Sequence, residues 1–208
     1  MLAGQRPENR LSWFVYVLPG LDQRRQDVVG LLTQINDQSP WNDPRNEEAA
    51  RTRLLVALCP LYTQHPPADQ PAITCYIGIA GVGADAAQLA LPPLPERAPK
   101  QAGAFRYDAA TPFDRIGDGL SQTLLLAETA HDLGPWLRGG PSTIRGVDDG
   151  KDARPLIGRG GQFGGYFSNG GNFALCDGSV RVITERVTPH LFLRLATIDD
   201  GEVAVMPE

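Results

Sequence analysis

NFALCDGSVRVIT, residues 172–184, reads as two strand-like runs around Asp177-Gly178, the dipeptide favoured in a type I′ hairpin turn. Gly170, Gly171 and Asn172 lead into it and read, like Asp177 and Gly178, as structural turn positions. Downstream, Thr188 as N-cap and Pro189 at the first helical position open a short helix over HLFLRLAT, closed near Asp199-Asp200-Gly201. Upstream, RIGDGLSQTLLLAET places an Asp118-Gly119 turn before a strand with Thr123 to Glu128 as its body, and AITCYIGIAG is a β-branched strand. Two long excursions separate these elements. Residues 82–112 carry prolines at 92, 93, 95 and 99, which a sheet interior does not tolerate, and residues 139–171 are rich in glycine.

The N-terminal third is less regular. LSWFVYVLPGLDQ is a strand or a short helix, and DQRRQDVVGLLTQI repeats Val28, Leu31, Leu32 and Ile35 at helical spacing. SPWNDPRN is turn chemistry, with Asn46 placed to cap a helix over EEAARTR. LLVALCP reads as a buried strand ended by Pro60. No repeat and no clean boundary divides the chain, so the expectation is one domain over 1–208, of α+β class.

Composition narrows the functional classes. Glycine (23) and proline (18) make up about a fifth of the 208 residues, yet they follow no period and 42% of the chain is hydrophobic, which excludes collagen-like and disordered classes. A net charge of -5 argues against a broad nucleic-acid footprint. The longest apolar runs, such as LLLA at 124–127, fall far short of the roughly 18 residues of a membrane helix.

Catalytic spacings are missing: there is no G-x-S-x-G elbow, H-E-x-x-H helix or P-loop, and GIAGVG at 78–83 does not have dinucleotide-site spacing. His65, His131 and His190 read as solvated or capping residues. Oxygen ligands are the better metal candidates. Asp114 and Asp118 lie around one turn, Asp148 and Asp149 around another, and calcium favours carboxylates on loops, although turn-forming aspartates that bond their own backbone are the favoured reading. Tyr166, Phe167 and Trp136 are the candidate binding aromatics, with core packing as the competing role. Cys59 and Cys75 lie in strand-like runs around a turn-rich segment, where either a disulfide or two buried thiols fits. Cys176 reads as a small core residue.

Eight ordered motifs then carry a resemblance: LSWFVYVLPGLDQ, SPWNDPRN, LCP, YIGIAG, RIGDGLSQTLLLAE, GPWLRGGPSTIRG, FGGYFSNGGNFALCDGSVRVITE and LATIDDGE. In this order, from about Leu11 to Glu202, they resemble the prepilin-like family of unknown function of planctomycete bacteria, whose C-terminal signature is His-x9-Asp-Gly. The resemblance implies an antiparallel sheet packed on a helix, as in type IV pilins and pseudopilins, and display outside the cytoplasmic membrane. It also implies a prepilin leader and an apolar helix. These 208 residues contain neither, so a trimmed domain or a member without an anchor is expected, meeting the membrane only through that absent helix. Phe167 stands where the signature has His, and supplies neither a lone pair nor a titratable proton.

The expectation is therefore a non-catalytic structural or interaction module of the cell envelope. Its partners would be other envelope proteins or itself and not nucleic acid, it would need no cofactor except, as an alternative, calcium, and its binding surface would lie on the two excursions. The alternatives are a calcium-dependent binding domain and an envelope-polymer hydrolase.

Overall fold

The computed structural model describes residues 5–21, 25–167 and 169–202, the side chains of residues 25–28 excepted. The Val28 side chain and Ser168 of the readings above lie outside the described residues. The chain forms two compact units, Met1–Cys75 with Asp132–Thr143, and Tyr76–His131 with Ile144–Glu208. The class is α+β: a five-stranded mixed sheet with a few short helices.

The first unit holds α1 (Phe14–Val17), α2 (Arg25–Gln34) and α3 (Glu47–Arg51), joined by 3-10 turns. Its core gathers Phe14, Leu18, Leu31, Ala49, Ala50, Leu54, Ala57 and Trp136, all buried. Trp136 is fully enclosed, sets its ring edge-on to Phe14 at 6.5 Å, and donates its indole N–H to the Thr52 carbonyl at 2.9 Å. An enclosed indole with its donor satisfied is a packing residue, so Trp136 is not a binding aromatic.

Two further readings are corrected. LLVALCP is not a strand: Leu55–Ala57 is a 3-10 turn, with Leu55 exposed and Ala57 buried, so the apolar run does not mark a two-sided buried strand. Asn46 does not cap α3 through its side chain. It is buried and used inward, accepting from Asn36 N–H at 2.7 Å and donating to the Asn36 and Pro40 carbonyls, while Asp43 caps the preceding turn. Of the two readings open for Cys59 and Cys75, the structure has the buried thiols.

The second unit is built on the sheet β3-β1-β2-β4-β5, with β1 Tyr76–Val82, β2 Leu124–Glu128, β3 Ile144–Val147, β4 Gly170–Leu175 and β5 Val180–Thr184. The sheet is mixed rather than wholly antiparallel. β2 already occupies one side of β1, so the next strand joins the other side, antiparallel to β2 and hence parallel to β1. Residues 139–171 are thus not one loop, since β3 lies inside them.

β1 is buried along almost its whole length, as a strand flanked on both edges should be. One face of the sheet carries the main core of Ile77, Ile79, Leu124, Val147, Phe163, Phe173, Leu175 and Ile183. Helix α4 (Pro189–Leu195) closes it with Phe192 and Leu195, and the Phe163, Phe173 and Phe192 rings meet at 5.5 to 6.2 Å. Thr188 caps α4 as its sequence signals, accepting from Leu191 N–H. Residues 82–112 do remain largely loop, but are anchored: Val82 N–H, Ala80 O and Ile79 O bond Gln101, Gly103 and Phe105.

Candidate functional site

β4 and β5 are joined by the turn that the sequence marks most clearly, in a different form. Of Asp177 and Gly178 only Gly178 has positive φ, 85°, whereas a type I′ turn needs both. Gly178 N–H donates to Leu175 O and Leu175 N–H to Ser179 O, which makes a three-residue loop ending in a left-handed glycine. The Ser179 hydroxyl and N–H donate to Asp177 at 2.7 and 2.9 Å and hold that carboxyl below the usual carboxylate range. Asp177 and Gly178 thus form the turn between β4 and β5, whereas Gly170, Gly171 and Asn172, read as turn positions, lie in β4 itself.

The ladder beyond the turn pairs Ala174 with Val180, Asn172 with Val182 and Gly170 with Thr184. Because side chains alternate, these pairs lie on the face opposite Phe173 and Ile183. Here Val180 and Val182 are 65% and 69% exposed. Phe167, bridged to Gly170 and 45% exposed, stands over the start of β4. Between them lies a groove of about 250 Å³, lined by Phe167, Asn169, Gly170, Gly171, Asn172, Val182 and Thr184.

Two glycines make its floor. A Cβ on Gly170 would meet Ile183 O at 2.5 Å, and one on Gly171 would meet Gly164 Cα at 2.8 Å, so neither position accepts a side chain. Asn172 is fixed from behind, its amide donating to Glu128 Oε2 at 3.1 Å. Glu128 is buried beneath it. The groove thus offers apolar walls with amide and hydroxyl groups between them. Its volume falls below the roughly 300 Å³ at which small-molecule sites begin, and suits one or two side chains of a partner.

The aspartates lie elsewhere. Asp118 accepts from Asp200 N–H at 3.0 Å, and its carboxyl is pushed up by burial and by the neighbouring Asp200 and Asp199. Asp199, held by Arg97 and by Ala98 N–H, is shifted down. Asp114 is exposed on a 3-10 turn. Asp148 bonds Gly150 N–H at 2.9 Å, a turn-forming use, and Asp149 is exposed. Among the described residues no group of three or more His, Cys, Asp or Glu side chains is placed to hold a metal ion. Cys176 is half-buried beside the small core of Ala98, Ala102, Ile116 and Ile198, with its thiol pushed up to about 12 by burial and by Asp177.

Of the candidate aromatics the groove takes Phe167; Tyr166 is half-buried and does not line it. Sequence reasoning missed Val182 and Thr184 by assigning the binding surface to loops, and did not single out Asn169 within the glycine-rich excursion. The signal was present in β5, whose alternating positions put valines on the face away from Ile183.

The model of one family, described as Protein of unknown function (DUF1559), matches residues 2–154. The matched stretch ends before Phe167 and the Asp177-Gly178 turn. No curated protein and no solved structure matches the chain.

Proposed function

From the premise that the chain belongs to this family of unknown function, we propose that it is a non-catalytic, pseudopilin-like module of the bacterial cell envelope that works by binding other proteins or itself. The observation that carries the reading is the outer strand β5 with its groove: a sheet edge unpaired among the described residues, with exposed Val180 and Val182 beside a half-exposed Phe167. Exposed apolar surface around a strand edge is the ordinary signature of a protein-binding surface. The shifted carboxyls support the same side of the question. Asp43 is lowered to about 2 by Arg45, Asp199 is lowered by Arg97, and Asp177 by Ser179, which are structural pairings; Asp118 is raised, first by burial, and is itself occupied in accepting from Asp200 N–H.

Fractionation of source cells, followed with an antibody, tests the proposal. The protein should be recovered with the envelope, and Val182→Lys together with Phe167→Lys should release it without lowering its melting midpoint. Recovery in the cytosolic fraction, or unchanged envelope association of the double variant, would count against it.

A further inference from the structure

Among the described residues β5 is bonded to β4 on one side only. The β4–β5 ladder runs through five consecutive pairs without a shift, whereas β1–β3 and β2–β4 are each interrupted. Edges are usually blunted by proline, by a bulge, by early termination or by charged side chains, of which β5 carries Arg181. β5 has neither proline nor bulge. Leu175 N–H donates to Ser179 O and Glu185 N–H to Asn169 O, so the odd-numbered residues turn their backbone groups toward β4. By the alternation of an antiparallel strand, the N–H and C=O of Val180 and Val182 then point outward.

We propose that this edge pairs with the same edge of a second copy of the chain, antiparallel about a two-fold axis at Ile183, which joins the two sheets into one. Charge complementarity selects both partner and register. An antiparallel pairing must set the outward groups of residues 180, 182 and 184 against each other. Centred on Arg181, it places Arg181 opposite Arg181. Centred on Val182, it places Arg181 opposite Ile183. Centred on Ile183, it places Arg181 of each copy opposite Glu185 of the other, twice by symmetry, with Val182 opposite Thr184. Arg181 and Glu185 are both exposed. Thr184 O already accepts from Val187 N–H at 3.1 Å and keeps a second lone pair for the partner strand. Val182 and Thr184 also line the groove, so the two grooves meet at the axis and each copy's Val182 adds to the other's wall.

The inference deepens the reading above by naming the partner and the register, and rests on it in taking β5 for an interaction surface. Sedimentation velocity over a concentration series is the first measurement, on the wild type, Arg181→Glu, Glu185→Arg and the combined swap. The wild type should self-associate. Each single reversal should weaken association at least about tenfold, by setting like charges opposite one another twice, and the combined swap should restore it. A mixture of Val182→Cys and Thr184→Cys chains should form a disulfide-linked heterodimer, because directly hydrogen-bonded pairs lie about 5.5 Å apart at Cα. A monomeric wild type, or single reversals that behave like the combined swap, overturns the pairing. Val182→Cys alone linking better than the mixture overturns the register. A monomer that still sediments with the envelope removes self-pairing and leaves the proposed function standing, whereas a dimer that leaves the envelope does the reverse.

Discussion

Arg115 is the side chain whose surroundings fit its chemistry least. It is 8% exposed, and both terminal guanidinium nitrogens are buried without a hydrogen-bond partner among the described residues. Asp199 feels its charge but is already bonded by Arg97 and Ala98. The nearby Arg106 is shifted down by burial and by Arg115 itself. Leaving buried donors unmade costs about 1–3 kcal/mol, and an unbranched apolar side chain would avoid that. Arg115→Met should therefore raise the urea midpoint; a lower midpoint would mean that the guanidinium has a partner that matters. Asp118 and Asp199 supply a second, pH-dependent contrast. The folded-state pKa of Asp199 is depressed, so its contribution is present above the unfolded value near 3.9 and is lost as pH falls through the folded one. Asp118 is raised, so the folded state is favoured by its proton, fully below the unfolded value, and that advantage is lost as pH rises through the folded value. Asp199→Asn should melt below wild type at pH 7, with the gap closing in acid. Asp118→Asn, which still offers Asp200 N–H an oxygen, should match or exceed wild type at pH 7. Melting both variants between pH 2.5 and 7 checks the two signs.

At the scale of elements, the second unit's sheet depends on a back-to-back glycine contact between strand and excursion. Gly81 of β1 has φ 111°, and a Cβ there would sit 1.9 Å from Gln101 O; one on Gly103 would sit 2.1 Å from Gly81 N. Gly83 has a similar φ of 98° but open space around it. The pair separates conformational strain from steric overlap. Gly83→Ala should cost about 1–2 kcal/mol from φ alone, and Gly81→Ala about 3 kcal/mol or more, since backbone must move as well. Urea unfolding of both checks it, and equal losses would show that residues 101–103 yield freely. The same contact shows where sequence stops being legible. β1, β2, the hairpin and α4 could be read because their signals are contiguous: a β-branched run, a Thr-Pro start, a Gly after an Asp. β3 could not, because four residues with Ile144 and Val147 as the only buried ends carry no period. The turn at Asp177-Gly178 was legible in place but not in type, since an Asp-Gly pair serves both a two-residue and a three-residue loop. Leu54 to Cys59 misled because an apolar run specifies burial, not the direction from which burial comes. The groove was half legible: Phe167 stood out as an aromatic among glycines, whereas Val182 became informative only once the pairing of β5 with β4 fixed which of its faces is covered.

At the scale of the whole molecule the question is whether its acidic side chains gather around an ion or are used up locally. The count of 24 acidic residues favours neither answer, but their partners do. Asp43 is held by Arg45, Asp199 by Arg97, Asp200 by Arg194, Asp148 by Gly150 N–H and Asp177 by Ser179. Each pairing gives a carboxylate a partner within the chain, and the four candidate calcium ligands, Asp114, Asp118, Asp148 and Asp149, are divided between two separate turns, one near residue 116 and one near residue 149. An ion that bound only the folded chain would stabilise it by RT ln(1 + [L]/Kd), about 1.4 kcal/mol at a tenfold excess over Kd. For a chain of this length that is a shift of about 2–6 °C, well within reach of calorimetry. Even a weak site of millimolar affinity would therefore be visible at tens of millimolar calcium. The expected result is the same melting midpoint in EDTA and in calcium, matched for ionic strength so that screening of the net charge does not imitate binding. A midpoint higher in calcium, and abolished by Asp118→Asn or by Asp148→Asn, would locate an ion on one of the two turns and move the binding surface away from the β5 edge.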